Sequence, residues 1–554
     1  MGSAATGVPS STEIVATSNV REGAISPDGK YLALVVEEEG RQSVKIQAPN
    51  NANESLTIAN GGTYRGLVFS RDAYSVYYLA RGEKGSDLYQ VSVVGGPPRK
   101  LVSDIDTPIS TSPDGSQLAF VRRKEAAPVL IVAKADGSGQ RELATAPSQS
   151  EFGTFLINNA PAWSPDGKVI ACPIMTTGDP MQMSVVGVRV EDGGVIPIGP
   201  RHWFLIGQLG WLTDGTGLIM DAQESMPPQT TPQIWLLDYP GGNARVLTTD
   251  TGFYHGVSLT ADSSTLITTK TSSTSKIWIM SDSLAGSPIA LQASKNKGSG
   301  GIAWTTDGNL VYASNESGTM EIWFMDGAGI NSRQLTFNKQ TCVEPALSRH
   351  DSERLVFACY STGKPHIWRI DQDGNNLKQL TSGGYEDWPD FSPDGQSVIY
   401  HSAESSGDRI WKLSIDGGSS TLLTDKIARH PVFSPDGKSI ACFTKDEGST
   451  WQLTVLPVAD TSTPKYFALP ISVADQWAGP RWTTDGKAIS YIVTNGGVSN
   501  VWKQPLTGGP ATQLTNFSED QIFAFAWSVD GKRLALVRGV NAKSIILMKN
   551  FRRS

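Results

Sequence analysis

The stretch Arg21 to Val35, REGAISPDGKYLALV, holds the unit from which the whole chain is built. Ser26-Pro27-Asp28-Gly29-Lys30 is a turn. Proline presets φ for its first central position, and the aspartate can bind nearby backbone amides. The glycine takes the left-handed position that closes a hairpin. The apolar run Tyr31-Leu32-Ala33-Leu34-Val35 leaves the turn as a strand. The same turn returns at Ser112, Ser164, Ser392 and Ser434, each followed by Pro-Asp-Gly. Looser copies stand at Ser70-Arg71-Asp72, Thr213-Asp214-Gly215, Thr260-Ala261-Asp262, Thr306-Asp307-Gly308, Arg349-His350-Asp351, Thr484-Asp485-Gly486 and Val529-Asp530-Gly531. That makes twelve copies, with Asp-to-Asp spacings of 42 to 52 residues. Such a period matches propeller blades rather than shorter solenoid repeats.

Each period supplies two further strands. One carries Ile-Trp or Val-Trp, as at Ile234-Trp235, Ile277-Trp278, Ile322-Trp323, Ile367-Trp368, Ile410-Trp411 and Val501-Trp502. The next ends in Leu-Thr, as at Leu247-Thr248, Leu335-Thr336, Leu380-Thr381, Leu423-Thr424 and Leu514-Thr515. Four strands per period with no competing helical pattern give an all-β fold of twelve four-stranded blades. Rings usually hold four to eight blades, so two six-bladed propellers are preferred over one large ring. The boundaries read from the sequence are a disordered or expression-derived lead at 1–11, a first propeller at 12–293, a linker at 294–301 and a second propeller at 302–554. The repeat from Phe523 lacks a fourth strand, while Glu13 to Thr17 has no blade of its own. Two arrangements follow. The early strand closes blade twelve directly, or it closes blade six while Ile289-Ala290-Leu291 closes blade twelve.

The chain of 554 residues has a net charge of −7 and a sequence pI near 5.5. An acidic balance argues against nucleic acid as a partner. No apolar run is long enough to span a membrane, and the N-terminus lacks the apolar core of a signal peptide. Four cysteines are too few for a disulfide scaffold. Cys342 and Cys359 flank one turn symmetrically and should face each other across a hairpin; buried free thiols are the expectation. The six histidines show no metal-ligand spacing. Asp371 to Ser382 resembles a calcium loop only faintly and reads as a turn, because serine stands where the last carboxylate is needed. No metal or cofactor is implied.

The Ser-Pro-Asp-Gly-Lys, Ile-Trp and Leu-Thr cadence resembles TolB-type propeller repeats over nearly the whole chain. Longer strings, such as QIFAFAWSVDGKRLAL at 521–536 and VGVRVEDG at 186–193, resemble the C-terminal propeller region of acidobacterial eukaryotic-like serine/threonine kinases. That resemblance implies an extracytoplasmic, periplasmic sensor region of a membrane-anchored receptor kinase.

The chain itself carries no kinase motif and no Gly-x-Ser-x-Gly elbow. It therefore reads as a non-catalytic, monomeric binding module for a peptide, glycan or protein, and not as an enzyme. The competing reading is a hydrolase or lyase with its site in a propeller channel, assembled from separate blades. Convergence of three or more of His202, His255, Glu386, Asp387 and His430 would favour it. Candidate ligand-binding residues are those just before the first strands: Tyr64, Arg65, Trp203, Tyr254, His255, Trp388, Arg429, His430, Trp477 and Phe523. Aromatic and arginine side chains dominate binding hot spots.

Overall fold

The computed structural model describes residues 10–551 except 17–18, 39, 50, 83–84, 126, 154–158, 177–181, 226–230, 282–287, 292–296, 351–352, 362–363, 405–406, 446–449, 460, 462 and 470–477. The described residues form strands and turns, with no helix. Two compact units emerge: 1–272 with 542–554, and 273–541.

The turn reads structurally as it does chemically. The Ser26 hydroxyl donates to Asp28 Oδ1 at 2.7 Å and accepts from the Tyr31 amide at 2.9 Å. The Gly29 amide closes the turn on the Ser26 carbonyl at 2.9 Å, with Gly29 at φ 72°. Ser112, Ser164, Ser392, Ser434 and Ser528 repeat this pattern, and Thr260 and Thr483 use their hydroxyls in the same way. The Leu-Thr cadence also has a cause. The Thr248, Thr336, Thr381 and Thr515 hydroxyls accept the amides of Ile234, Ile322, Ile367 and Val501, at 2.9 to 3.0 Å. These bonds tie the outer strand to the Ile-Trp strand, whose tryptophans pack into cores shared by neighbouring sheets.

In unit 1 the inner strands are Val20–Ile25, Tyr64–Phe69, Ser110–Thr111, Ala162–Trp163, Leu205–Trp211 and Phe253–Leu259. The last returns to the first: the Ile25 amide donates to the Ser258 hydroxyl at 3.1 Å. In unit 2 they are Lys297–Trp304, Cys342–Leu347, Tyr385–Phe391, Ile427–Phe433, Arg481–Trp482 and Gln521–Trp527. Closure here runs from the Trp304 indole to the Ala526 carbonyl, at 3.0 Å. Each unit is a β-propeller.

The units are closed by sequence-distant strands. In unit 1, Ser10–Ala16 pairs with residues 544–549, and Ile545 shares a core with Val20, Leu34 and Ile267. In unit 2, Ile289 and Ala290 pair with Ile279 and Trp278, and Ile277 packs with Trp304, Ala524 and Val537. Ile277-Trp278 therefore serves the second ring and Ile545 to Met548 the first, which reverses the simple blade-by-blade reading. The reason lies at Ser272–Ser275 and Gly539–Asn541. Both look like turns, yet each lies inside a 17-residue strand, Thr265–Ser281 and Arg533–Lys549. The chain thus passes between units ahead of residues 294–301. Lys297 to Gly301 is strand rather than linker, and it accommodates Gly298 and Gly301 at φ 79° and 121°.

Cys342 and Cys359 are cross-strand partners joined by a disulfide, with Cα atoms 4.1 Å apart. This corrects the free-thiol expectation: direct cross-strand pairing brings the two Cβ atoms within bonding range. Cys172 and Cys442 are buried and free. Denatured, unreduced protein should therefore show two thiols per chain to a thiol reagent, and four after reduction. Removing one turn hydroxyl, in Ser434→Ala, should lower stability by about 1 kcal/mol, read as a lower urea midpoint. Its Asp436 partner is held below 3.8 chiefly by the Ser434 hydroxyl. The turn's contribution is present above that pH and lost as pH falls through the folded value, so the variant should also lose part of the wild type's acid sensitivity.

Candidate active site

One position recurs in the inner strands of each ring. It lies four residues before the first residue of the hydrogen-bonded turn, which is Ser or Thr in most repeats and Leu212 in one. Its occupants in unit 2 include Gly301, Glu344, Trp388, His430 and Gly479; those in unit 1 include Glu22, Gly66, Gln208 and Gly256. The inner strand is bulged here, with register shifts at Val343/Ala346, Asp387/Asp390 and Arg429/Val432. A bulge favours positive φ, and Gly66, Gly256 and Gly301 supply it at 65°, 73° and 121°. Glu344, Trp388 and His430 adopt it without glycine, at 59°, 52° and 55°. Such strain costs on the order of 1–3 kcal/mol per residue and concentrates at functional sites.

These three residues stand on successive sheets. The Trp388 amide donates to Glu344 Oε2 at 2.7 Å, and the Trp388 and His430 rings lie 4.1 Å apart. Glycine at 479 makes room, since a Cβ there would stand 2.9 Å from His430 Cβ and 3.4 Å from the Trp388 ring. Behind them runs a charged chain. Asp387 Oδ1 pairs with His401 Nδ1, His401 Nε2 lies 3.3 Å from Asp408 Oδ1, and Asp408 Oδ2 pairs with Arg429 Nε. Asp390 accepts the Phe433 amide at 2.8 Å.

The environment splits the ionisable groups. Burial raises the Glu344 carboxyl well above 4.5, and Asp387 adds to the effect. Burial lowers His430 well below 6.5, reinforced by His401, Arg429 and Arg481. For His401 burial acts downward, but Asp387 and Asp408 outweigh it and raise the imidazolium to about 9. For Asp408 burial acts upward, but His401 and Arg429 hold it at about 2. A carboxyl whose protonated form is favoured by burial and an imidazole whose neutral form is favoured by burial thus stand on the sheets to either side of that carrying Trp388. Opposed shifts of this kind mark acid and base roles. Glu344, Trp388 and His430 are each only part-buried, so solvent reaches them.

The sequence candidates fall into several places. Trp388 and His430 meet here, ring against ring, whereas Arg429 is exposed, pairs with Asp408 and lies over the Trp451 ring. Phe523 is part-buried against the core around Trp304, and Trp477 lies outside the described residues. In unit 1, Trp203 and Tyr254 are core side chains, 2% and 3% exposed, so neither ring is presented to a ligand. Tyr64 packs edge-on against Tyr78. Arg65 donates to Ser86 and to the Asp106 carbonyl, and His255 lies 3.5 Å from Asp221. His202 is exposed, and Glu386 turns to His366 at 2.9 Å. What converges is instead Glu344, Asp387, His401, Asp408, Arg429 and His430. The sequence reading missed Glu344, His401 and Asp408. The four-residue offset before the turn was the signal available for Glu344. Among the described residues no His, Cys, Asp and Glu group is arranged to hold a metal.

Replacing His401 by leucine would leave Asp387 and Asp408 facing each other without their cation. A loss of about 3–5 kcal/mol is expected for a broken buried pair, measured by urea denaturation near pH 6. Because the folded His401 value is raised, its stabilisation is fully present below about 6.5 and is lost as pH rises through about 9. The gap between wild type and His401→Leu should therefore narrow across that window.

A family model described as TolB beta propeller domain matches residues 293–427. Over 149 residues the chain is 28% identical to dipeptidyl-peptidase 5 of Porphyromonas gingivalis, covering 25% of this chain and 22% of that protein. Over 167 residues it is 23% identical to the uncharacterized peptidase YuxL of Bacillus subtilis, covering 29% and 24%. The matched part thus spans less than a quarter of each curated relative's length. Among solved structures, TolB from Acinetobacter baumannii aligns over 70% of this chain and 81% of its own, at 14% identity and a TM-score of 0.34. The expectation that the chain is not an enzyme is corrected by these relatives, since both curated ones are peptidases. A search for linear catalytic motifs could not register groups contributed by separate sheets.

Proposed function

We propose that this chain belongs to a peptide-processing hydrolase, with the substrate lying on the axis of unit 2 between Glu344 and His430. The observation that carries the reading is the run of three strained, non-glycine axial residues, Glu344, Trp388 and His430, on successive sheets. The two peptidase relatives support a peptide as the substrate class, in preference to a glycan. In this mechanism neutral His430 takes a proton from water as the water oxygen attacks the scissile carbonyl carbon. Glu344 donates its proton to the departing amine as the C–N bond breaks. The proton on His430 then returns to the Glu344 carboxylate through solvent, so one water is consumed per bond. Trp388 offers an apolar face to the chain on either side, and Arg481 places positive charge near the developing oxyanion.

The Cys342–Cys359 disulfide supports an oxidising, extracytoplasmic compartment. So does the resemblance of the longer strings to the propeller regions of acidobacterial receptor kinases. Closed rings leave few strand edges free, which supports a monomer.

Purified chain incubated with a defined peptide mixture and followed by mass spectrometry should show new termini. Glu344→Gln and His430→Gln should each reduce kcat at least about 100-fold, while Trp388→Ala should mainly raise KM. The kcat/KM profile should be bell-shaped. Its acid limb reports His430 protonation, below 6.5, and its alkaline limb Glu344 deprotonation, above 4.5. Absence of cleavage across the mixture, or cleavage undiminished in the double variant, would overturn the assignment.

A further inference from the structure

Arg481 departs from the rule of its own repeat. It lies on the inner strand Arg481–Trp482, two residues before the turn that begins at Thr483. At the same place Ser110, Ser258 and Asp390 accept an amide of the adjoining sheet. The other eight repeats have Ala, Val or Gly there. A guanidinium carries five donors and no acceptor, so Arg481 cannot cap a strand. Its charge is also left without a counter-charge. Nη1 donates to the Pro480 carbonyl at 3.0 Å, and among the described residues no carboxylate pairs with it. Arg429, by contrast, pairs with Asp408. Glu344 and Asp390, whose fields reach Arg481, each take a backbone amide instead, from Trp388 and Phe433.

This cation stands at the site described above. The point where a Cβ on Gly479 would sit is 2.9 Å from His430 Cβ, 3.4 Å from Trp388 Cζ3 and 3.5 Å from Arg481 Nη1. Glycine at 479 thus lets the imidazole, the indole and the guanidinium come together. Arg481 is part-buried, and a cation drawn out of water beside an apolar ring is costly until an anion joins it. The planar guanidinium fork fits a carboxylate through two parallel hydrogen bonds. We propose that Arg481 is the receptor for a carboxylate of the bound peptide, either its C-terminal group or an acidic side chain, seated beside the Trp388 ring. The ligand then brings the counter-charge that the fold leaves out. The inference rests on the reading of this site as one for peptides, but its test reads binding and not turnover.

Three probes separate the possibilities: acetyl-trialanine as the free acid, its C-terminal amide, and the same amide with glutamate in the middle place. Each is titrated calorimetrically into the wild-type chain and, so that turnover does not consume it, into Glu344→Gln. At least one carboxylate probe should bind at least about 10-fold more tightly than the neutral amide. The tighter of the two identifies the source of the carboxylate. In Arg481→Gln that advantage should vanish, and Arg481→Lys, which keeps the charge without the fork, should retain part of it. The proposal is overturned if the wild type binds the three probes alike or binds none, results that need no variant to fold. It is also overturned if the advantage survives in Arg481→Gln, or if Arg481→Lys behaves like Arg481→Gln. Cleavage of peptides without any preference for a carboxylate would sink this inference and leave the hydrolase reading standing. A carboxylate preference without cleavage would do the reverse.

Discussion

The structure depends on how each inner strand satisfies the amides of the next. A strand beside a propeller axis has no fifth neighbour, and its bulge frees further backbone donors that cannot be left dry and unpaired. The repeat meets this with side chains at two positions. Two residues before the turn, Ser110, Ser258 and Asp390 accept the amides of Trp163, Ile25 and Phe433 on the adjoining sheet. Four residues before it, Glu22 accepts Gly66 and Leu67, Gln208 accepts Val257, and Glu344 accepts Trp388. Each bond joins one sheet to the next, at four seams of unit 1 and two of unit 2, and the bond from the Ile25 amide to Ser258 closes unit 1.

The same device makes Glu344, proposed above as the acid, a backbone cap as well. Glu22 and Glu344 occupy equivalent places, and burial raises both carboxyls. Glu22 has both oxygens engaged by backbone amides, and its neighbour on the next sheet is a glycine, so it is structural. Glu344 caps through one oxygen, and its neighbour is a tryptophan with a histidine beyond. Where the position is left-handed, unit 1 uses glycine, at 66 and 256; unit 2 uses glycine at 301 but Glu344, Trp388 and His430 on the next three sheets, which therefore carry backbone strain.

The turns, the strand order within a blade and the all-β class were legible because each depends on short-range chemistry: a Pro-Asp-Gly geometry, a hydroxyl five residues from its amide, an Ile and a Thr fourteen apart. Ring closure was only half legible. Both closing schemes satisfy the same local rules, and the choice turns on whether Ser272–Ser275 and Gly539–Asn541 bend or run straight, which distant packing decides. For the site, Trp388, Arg429 and His430 stood out as large or charged residues ahead of apolar strands. Trp203 and Tyr254 stood out equally and are core, because the same residue types serve both ends. Glu344 was hidden in a degenerate repeat, and His401 and Asp408 lie on second and third strands, where no axial signal exists.

The disulfide falls at the point where this site is most vulnerable. Cys342 pairs with Cys359 and Val343 with Ala358, after which the register slips and does not recover until Ala346 meets Val356. Glu344 lies inside that slip, in a conformation its side chain disfavours. A bulge can migrate along a strand when its flanks are free to re-pair, and a one-residue shift would turn Glu344 away from the axis. A covalent link one pair upstream forbids that shift from one side. From the other, the turn fixes the strand at Ser348, whose side chain is buried. The carboxyl is thus fixed by its two flanks rather than by its own preferences, which is how a strained residue keeps one position in a fold that repeats everywhere else.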